Sequence, residues 1–176
     1  MLKSRDEALE LVKTLGASDR LLWHAETVSE VALLLANLCK SLGAPIDSTL
    51  VEIGAIIHDS GKILHVNELS EKGNKHEAAG NELMLKNGAS KEQARFCLSH
   101  ARFDEMSVSL EELTVALADK IWKGKRAIDL ELKFLEQVAL AAGKDHWEIY
   151  ENIDSGIESI AAEGDSRLER SKNSFS

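Results

Sequence analysis

Leu50-Val51-Glu52-Ile53-Gly54-Ala55-Ile56-Ile57 carries one charge in eight residues and runs directly into His58-Asp59-Ser60-Gly61-Lys62. A helix of that composition has no side suited to water, so it must be surrounded by other elements. Its end is then buried as well, and His58 and Asp59 enter a dry interior. A carboxylate there is costly unless a cation or hydrogen bonds compensate it. A metal ion does so directly. Capping of the turn before Gly61 would account for Asp59 alone and leaves His58 unexplained.

Outward from this segment the apolar spacing is helical nearly everywhere, with no convincing alternation of the kind a strand needs. The spacing predicts helices over 4–15, 18–42, 48–59, 75–87, 90–101, 109–123, 129–142 and 145–162. The fold expected is therefore an all-α bundle, one domain over 1–163, with a frayed tail from 164 to 176. Ser4 with Glu7, Ser90 with Gln93 and Ser109 with Glu112 have capping-box spacing. Gly43-Ala44-Pro45, Gly88 and Gly143 end helices, and His65 to Asn74 is polar enough to form a loop over the site.

Composition narrows the function. The chain has 176 residues, 44% hydrophobic and 29% charged, which is ordinary for a globular protein. The longest apolar runs are far too short to span a membrane, and the N-terminus lacks the apolar core of a signal peptide, so a cytoplasmic location is expected. A net charge of −9 opposes attraction to a phosphate backbone, so a large nucleic-acid partner is not expected. A small phosphorylated substrate remains compatible, because bound cations reverse the local field. Cys39 and Cys97 are not spaced as zinc ligands and suit buried thiols.

Four further residues extend the His58-Asp59 pair. His24 occupies a core-facing slot in the stripe Leu21, His24, Val28, Val31, Leu35, and Asp119 follows the uncharged run Leu113 to Ala118. His76 and His100 lie between them in sequence. Each has an ordinary explanation when taken singly. His24 could bond a backbone carbonyl, Asp119 could pair with Lys123 one turn on, His76 could sit in a solvated first turn, and His100 could favour a helix C-terminus.

The ordered set His24, His58-Asp59, His76, His100, Asp119 resembles the HD superfamily of metal-dependent phosphohydrolases over roughly residues 20–126. That resemblance implies an HD-type helical bundle with a divalent metal (Fe, Mn, Co, Ni, Zn or Mg) between its central helices, held by His24, His58, Asp59 and Asp119. His76-Glu77-Ala78-Ala79-Gly80 resembles the His-x-x-x-Gly segment of two-metal members, which implies a second ion on His76 and His100 with Asp59 bridging. Met106, Ala118-Asp119-Lys120 and a basic cluster ending at Arg126 resemble the bacterial group that splits symmetrical dinucleoside tetraphosphates. The implied chemistry is hydrolysis of a phosphoester or phosphoanhydride of a small nucleotide-like substrate, with Asp59 and Lys62 as catalytic groups. Lys62, Arg102, Trp122 and Lys123 are the candidate substrate contacts. A 5′-nucleotidase, a nucleoside-triphosphate hydrolase, a cyclic-nucleotide phosphodiesterase and a non-catalytic signalling module are the alternatives.

Overall fold

Residues 1–173, the part that the computed structural model describes, form α1 (Arg5–Thr14), α2 (Asp19–Ser41), α3 (Ser48–Ile57), α4 (Lys75–Lys86), α5 (Lys91–Ala94), α6 (Phe96–Arg102), α7 (Leu110–Ile121), α8 (Ile128–Ala142), α9 (His146–Ala162) and α10 (Gly164–Asn173). No strand occurs among the described residues, in keeping with the all-α expectation. No helix among them is long and apolar enough to cross a membrane.

Helix starts follow the capping chemistry. Ser90 and Ser109 form complete capping boxes with Gln93 and Glu112, and Asp47 caps α3 by accepting from the Leu50 amide. Ser4 makes only half a box: it accepts from the Glu7 amide, while the Glu7 carboxylate turns to the amide of Lys3 at 2.7 Å. The helix expected over 90–101 is divided at Arg95, whose backbone nevertheless stays right-handed helical at φ −58°, ψ −28°.

Helix α3 is enclosed as its sequence requires. Val51 and Ala55 join the main core, built largely from α2, α7, α8 and α9. Ile53, Ile56 and Ile57 join a smaller core with Ala8, Leu9 and Val12 of α1, Met84 of α4 and Cys97 of α6. Each fully buried aliphatic side chain contributes roughly 1.5–3 kcal/mol, so α3 is anchored from both sides and its end is held firmly. After Ile57, His58 is the C-cap, Asp59 leaves helical geometry at φ −101°, ψ 10°, and Ser60–Ile63 turn as a 3₁₀ helix.

Gly61 is needed here for a reason other than a sharp turn, since its φ lies outside the left-handed region. A Cβ on Gly61 would meet the carbonyl oxygen of His76 at 1.8 Å and the amide nitrogen of Gly80 at 2.6 Å. Gly80 is equally hemmed in, by Gly61 and Cys97. The two glycines thus let α4 pass directly over the turn that follows Asp59, which brings His76 to it.

Two segments differ from expectation. Within 65–74, Val66–Leu69 forms a 3₁₀ turn that carries Glu68 inward to a buried position. Residues 164–173 form α10 and do not fray; positions 174–176 of the expected tail lie outside the described residues. Arg167, only 2% exposed, anchors α10 by donating from Nη1 to the carbonyls of Ile160 (2.7 Å) and Trp122 (3.4 Å). A polar sequence gives no hint of such docking, because an arginine stem buries as apolar surface while Nη1 bonds two carbonyl groups.

Candidate metal centre

The fold brings five side chains from α2, the end of α3, α4, α6 and α7 around Asp59. His24 Nε2 lies 3.3 Å from Asp59 Oδ2 and 3.2 Å from Asp119 Oδ1, and His58 Nε2 lies 3.6 Å from each of those oxygens. On the other side, His76 Nε2 and His100 Nε2 stand 3.3 Å and 3.6 Å from Asp59 Oδ1. Two groups with metal-ligand chemistry result, one of His24, His58 and Asp119 and one of Asp59, His76 and His100, with the Asp59 carboxylate between them.

Three of the imidazoles have their orientation set from behind. His58 Nδ1 donates to the Ala55 carbonyl at 2.7 Å, and His100 Nδ1 to the Phe96 carbonyl at 3.0 Å. His76 Nδ1 meets Glu68 Oε2 at 2.6 Å, and Glu68 also accepts the backbone amides of Lys75 and His76. Protons held on Nδ1 turn the Nε2 lone pairs towards the centre, the arrangement found behind metal-binding histidines.

Those lone pairs face carboxylate oxygens, so acceptors point at acceptors. Nε2 of His58 and Nε2 of His76 are buried without a hydrogen-bond partner, an uncommon state for a buried polar atom. Ligand atoms about 2.1 Å from one ion stand roughly 3.0–3.4 Å apart in octahedral or tetrahedral arrangement. The separations of 3.2–3.6 Å around Asp59 are close to that range. The donor set fits a divalent cation in each group.

Electrostatics agrees. Burial works against a charged His24, yet hydrogen bonds to Asp119 and Asp59 and their negative field raise its pKa to about 9. Burial also opposes ionisation of Asp59 and Asp119, but the surrounding imidazoles hold both well below the usual carboxylate range. His100 is pushed down to about 4, chiefly by burial. Two ionised carboxylates and the inward-facing imidazole nitrogens are thus the donors that a divalent cation would meet here.

Above it opens a cleft of about 490 Å³, of a size suited to a small-molecule ligand. Asp59, His24 and Lys62 border it, and Lys62 Nζ bonds Asp59 Oδ2 at 2.5 Å. Trp122 and Lys123 line it as expected, with Lys123 Nζ lying 4.7 Å from the Trp122 ring centroid. The ion pair between Asp119 and Lys123 does not form, because Asp119 Oδ2 accepts from Lys120 at 3.3 Å. Arg102 stands apart from these: it does not line the cleft, and its Nε donates to Glu105 on the surface at 2.9 Å. Two residues past His100 at the end of a short helix, its long side chain pairs with an acid three residues on.

Glu68, Arg20, Trp23, Leu168 and Ser171 were not expected at the site. Trp23 packs edge-on to Trp122 with centroids 5.4 Å apart, and Arg20 lies one turn before His24 at the rim. Spacing on α2 could have suggested Arg20 and Trp23. Glu68 and α10 leave no such signal.

Residues 26–122 match the HD domain family. The chain belongs to that family. The matched segment contains His58, Asp59, His76, His100 and Asp119, while His24, two residues before it, joins the centre on geometry alone. The HD domain points to a superfamily of metal-dependent hydrolases. This HD protein is 26% identical over 156 residues to an uncharacterized protein of Methanocaldococcus jannaschii, covering 80% of this chain and 88% of that one. It is 28% identical over 170 residues to a tRNA (cytidine(56)-2′-O)-methyltransferase of Picrophilus torridus, where the match covers 84% of this chain but 47% of the methyltransferase. No solved structure matches.

Proposed function

We propose that this HD domain is a metal-dependent phosphohydrolase of a small nucleotide, with His24, His58, Asp59 and Asp119 holding one divalent cation and Asp59, His76 and His100 a second. The observation that carries this reading is the division of Asp59: Oδ2 faces His24 and His58, whereas Oδ1 faces His76 and His100. Imidazole and carboxylate donors suit Mn, Fe, Co, Ni, Zn or Mg. When bound, such cations lower the pKa of water towards neutrality and offset the charge that builds on an attacked phosphorus.

The chain's own residues bind and orient. Lys62, bonded to Asp59 at the cleft floor, is placed to exchange that bond for one to a phosphoryl oxygen, while Asp59 keeps both flanking groups of histidines in register. Arg20 and Lys123 at the rim neutralise phosphates beyond the reacting one, and Trp23 and Trp122 supply apolar wall for a base. Because Arg102 is turned away, a nucleotide with a short phosphate chain is favoured over a dinucleoside polyphosphate. A net charge of −9 tells against tRNA as substrate, and the relative named as a tRNA methyltransferase shares less than half its length with this chain. A cytoplasmic nucleotide pool is the natural source of such a substrate.

Phosphate release from a panel of nucleoside mono-, di- and triphosphates, cyclic nucleotides and dinucleoside polyphosphates tests the reading with protein loaded with Mn²⁺. Turnover of a mono-, di- or triphosphate is expected. Metal-loaded protein that hydrolyses none of the panel would favour the non-catalytic module.

A further inference from the structure

Helix α10 lies beyond the matched HD segment, yet Leu168 and Ser171 line the same cleft as His24 and Asp59. Its sequence, Gly164-Asp165-Ser166-Arg167-Leu168-Glu169-Arg170-Ser171-Lys172-Asn173, has a single large apolar residue, so general hydrophobic burial does not explain its position. Specific contacts do. A Cβ on Gly164 would meet the amide nitrogen of Gly124 at 2.3 Å, so the helix begins with its backbone in direct contact with the segment that follows α7. Arg167 bonds the carbonyls of Ile160 and Trp122 from a buried position, Leu168 packs on the main core, and Arg170 Nη2 lies 3.1 Å from both carboxylate oxygens of Glu30 on α2. These contacts tie α10 to the two helices that carry His24 and Asp119.

We propose that α10 is the specificity wall of the cleft. Leu168 and Ser171 contact the nucleoside part of the substrate, and Arg167 is the positioning residue that holds them there through the Trp122 carbonyl. The proposal rests on the phosphohydrolase reading. The wall shares the cleft with Trp23 and Trp122 and with the cations Arg20 and Lys123, so apolar surface and positive charge lie within one pocket. That combination suits a planar base with phosphates attached, whereas a small phosphate ester needs only the floor formed by Asp59 and Lys62.

The test uses the full chain loaded with Mn²⁺ and compares an adenosine 5′-phosphate with p-nitrophenyl phosphate. Ser171→Trp, at a half-buried site, should raise KM for the nucleotide about tenfold while changing that for the small ester less than about twofold. Metal content and helical circular dichroism should not change. Leu168→Ala should act in the same direction by severalfold, and Arg167→Ala should raise the nucleotide KM while sparing kcat on the small ester. Equal effects on both substrates, or none on either, would overturn the wall while leaving the hydrolase reading intact. If wild type hydrolyses neither compound, the hydrolase reading is decided by the full nucleotide panel and the wall is judged by equilibrium binding of the nucleotide. An affinity loss of about tenfold in Ser171→Trp then supports it, and unchanged affinity, or no binding by wild type, overturns it.

Discussion

On one side of Asp59, the side chains of His24 and Asp119 are 19% and 16% exposed and His24 borders the cleft; on the other, those of His76 and His100 are 8% and 4% exposed and border none of it. The open side holds two carboxylate groups around His24, whose pKa rises to about 9, whereas burial pushes His100 down to about 4. One aspartate therefore joins an open half that borders the cleft to a sealed half braced by Glu68 and a backbone carbonyl. The contrast teaches that exposure, more than residue type, separates the two halves.

Asp59 belongs to both halves, so Asp59→Ala should have the largest effect. Hydrolysis is expected to fall at least about a thousandfold, the scale of losing a preorganised charged group, with metal content near zero by elemental analysis and helical circular dichroism nearly intact. Retained metal in this variant would break the comparison at its centre. His100→Ala should instead lower the stoichiometry from about two ions per chain towards about one; wild type that binds only one ion would remove the sealed half as a cation site.

Glu68→Gln sharpens the comparison from the sealed side. It keeps the size of the group that holds His76 Nδ1 but removes its charge, and should weaken metal binding there by about 10–100-fold while the open half is unaffected. Metal titration resolves the two; equal weakening of both would show that the halves are not separable.

The open half should respond to pH because a proton on His24 competes with the cation. Affinity is expected to rise by up to about tenfold per unit as pH approaches about 9, then level off. The sign for stability is opposite. In chelator-treated protein His24 has its pKa raised from 6.5, so its contribution is fully present below 6.5 and is lost as pH rises through about 9. Thermal melting should show that decline, and His24→Gln should flatten it. His100, neutral above about 4, should add no such dependence in this range.

The smallest effects concern the rim. Lys123→Ala should raise the nucleotide KM by a few fold, on the scale of one exposed charged contact, whereas Arg102→Ala, held on Glu105, should stay within about twofold of wild type. A larger effect from Arg102 would mean that its pairing with Glu105 yields to substrate.

Much was legible in the sequence because local physics leaves periodic marks. The capping boxes at Ser90 and Ser109, the enclosed helix before His58 and the helical stripe bearing His24 each follow from spacing along one helix. Expectations failed where an outcome depended on a contact with a distant segment. The polar stretch after residue 163 docked through Arg167, and the loop expected over 65–74 carried Glu68 inward to His76. Apolar periodicity and capping thus determine the helices and which residues they turn inward. Tertiary structure alone decided that Glu68 backs His76, that Leu168 and Ser171 of α10 line the cleft and that the two oxygens of Asp59 face different histidines, since each depends on the approach of chain segments whose spacing in sequence carries no record of it.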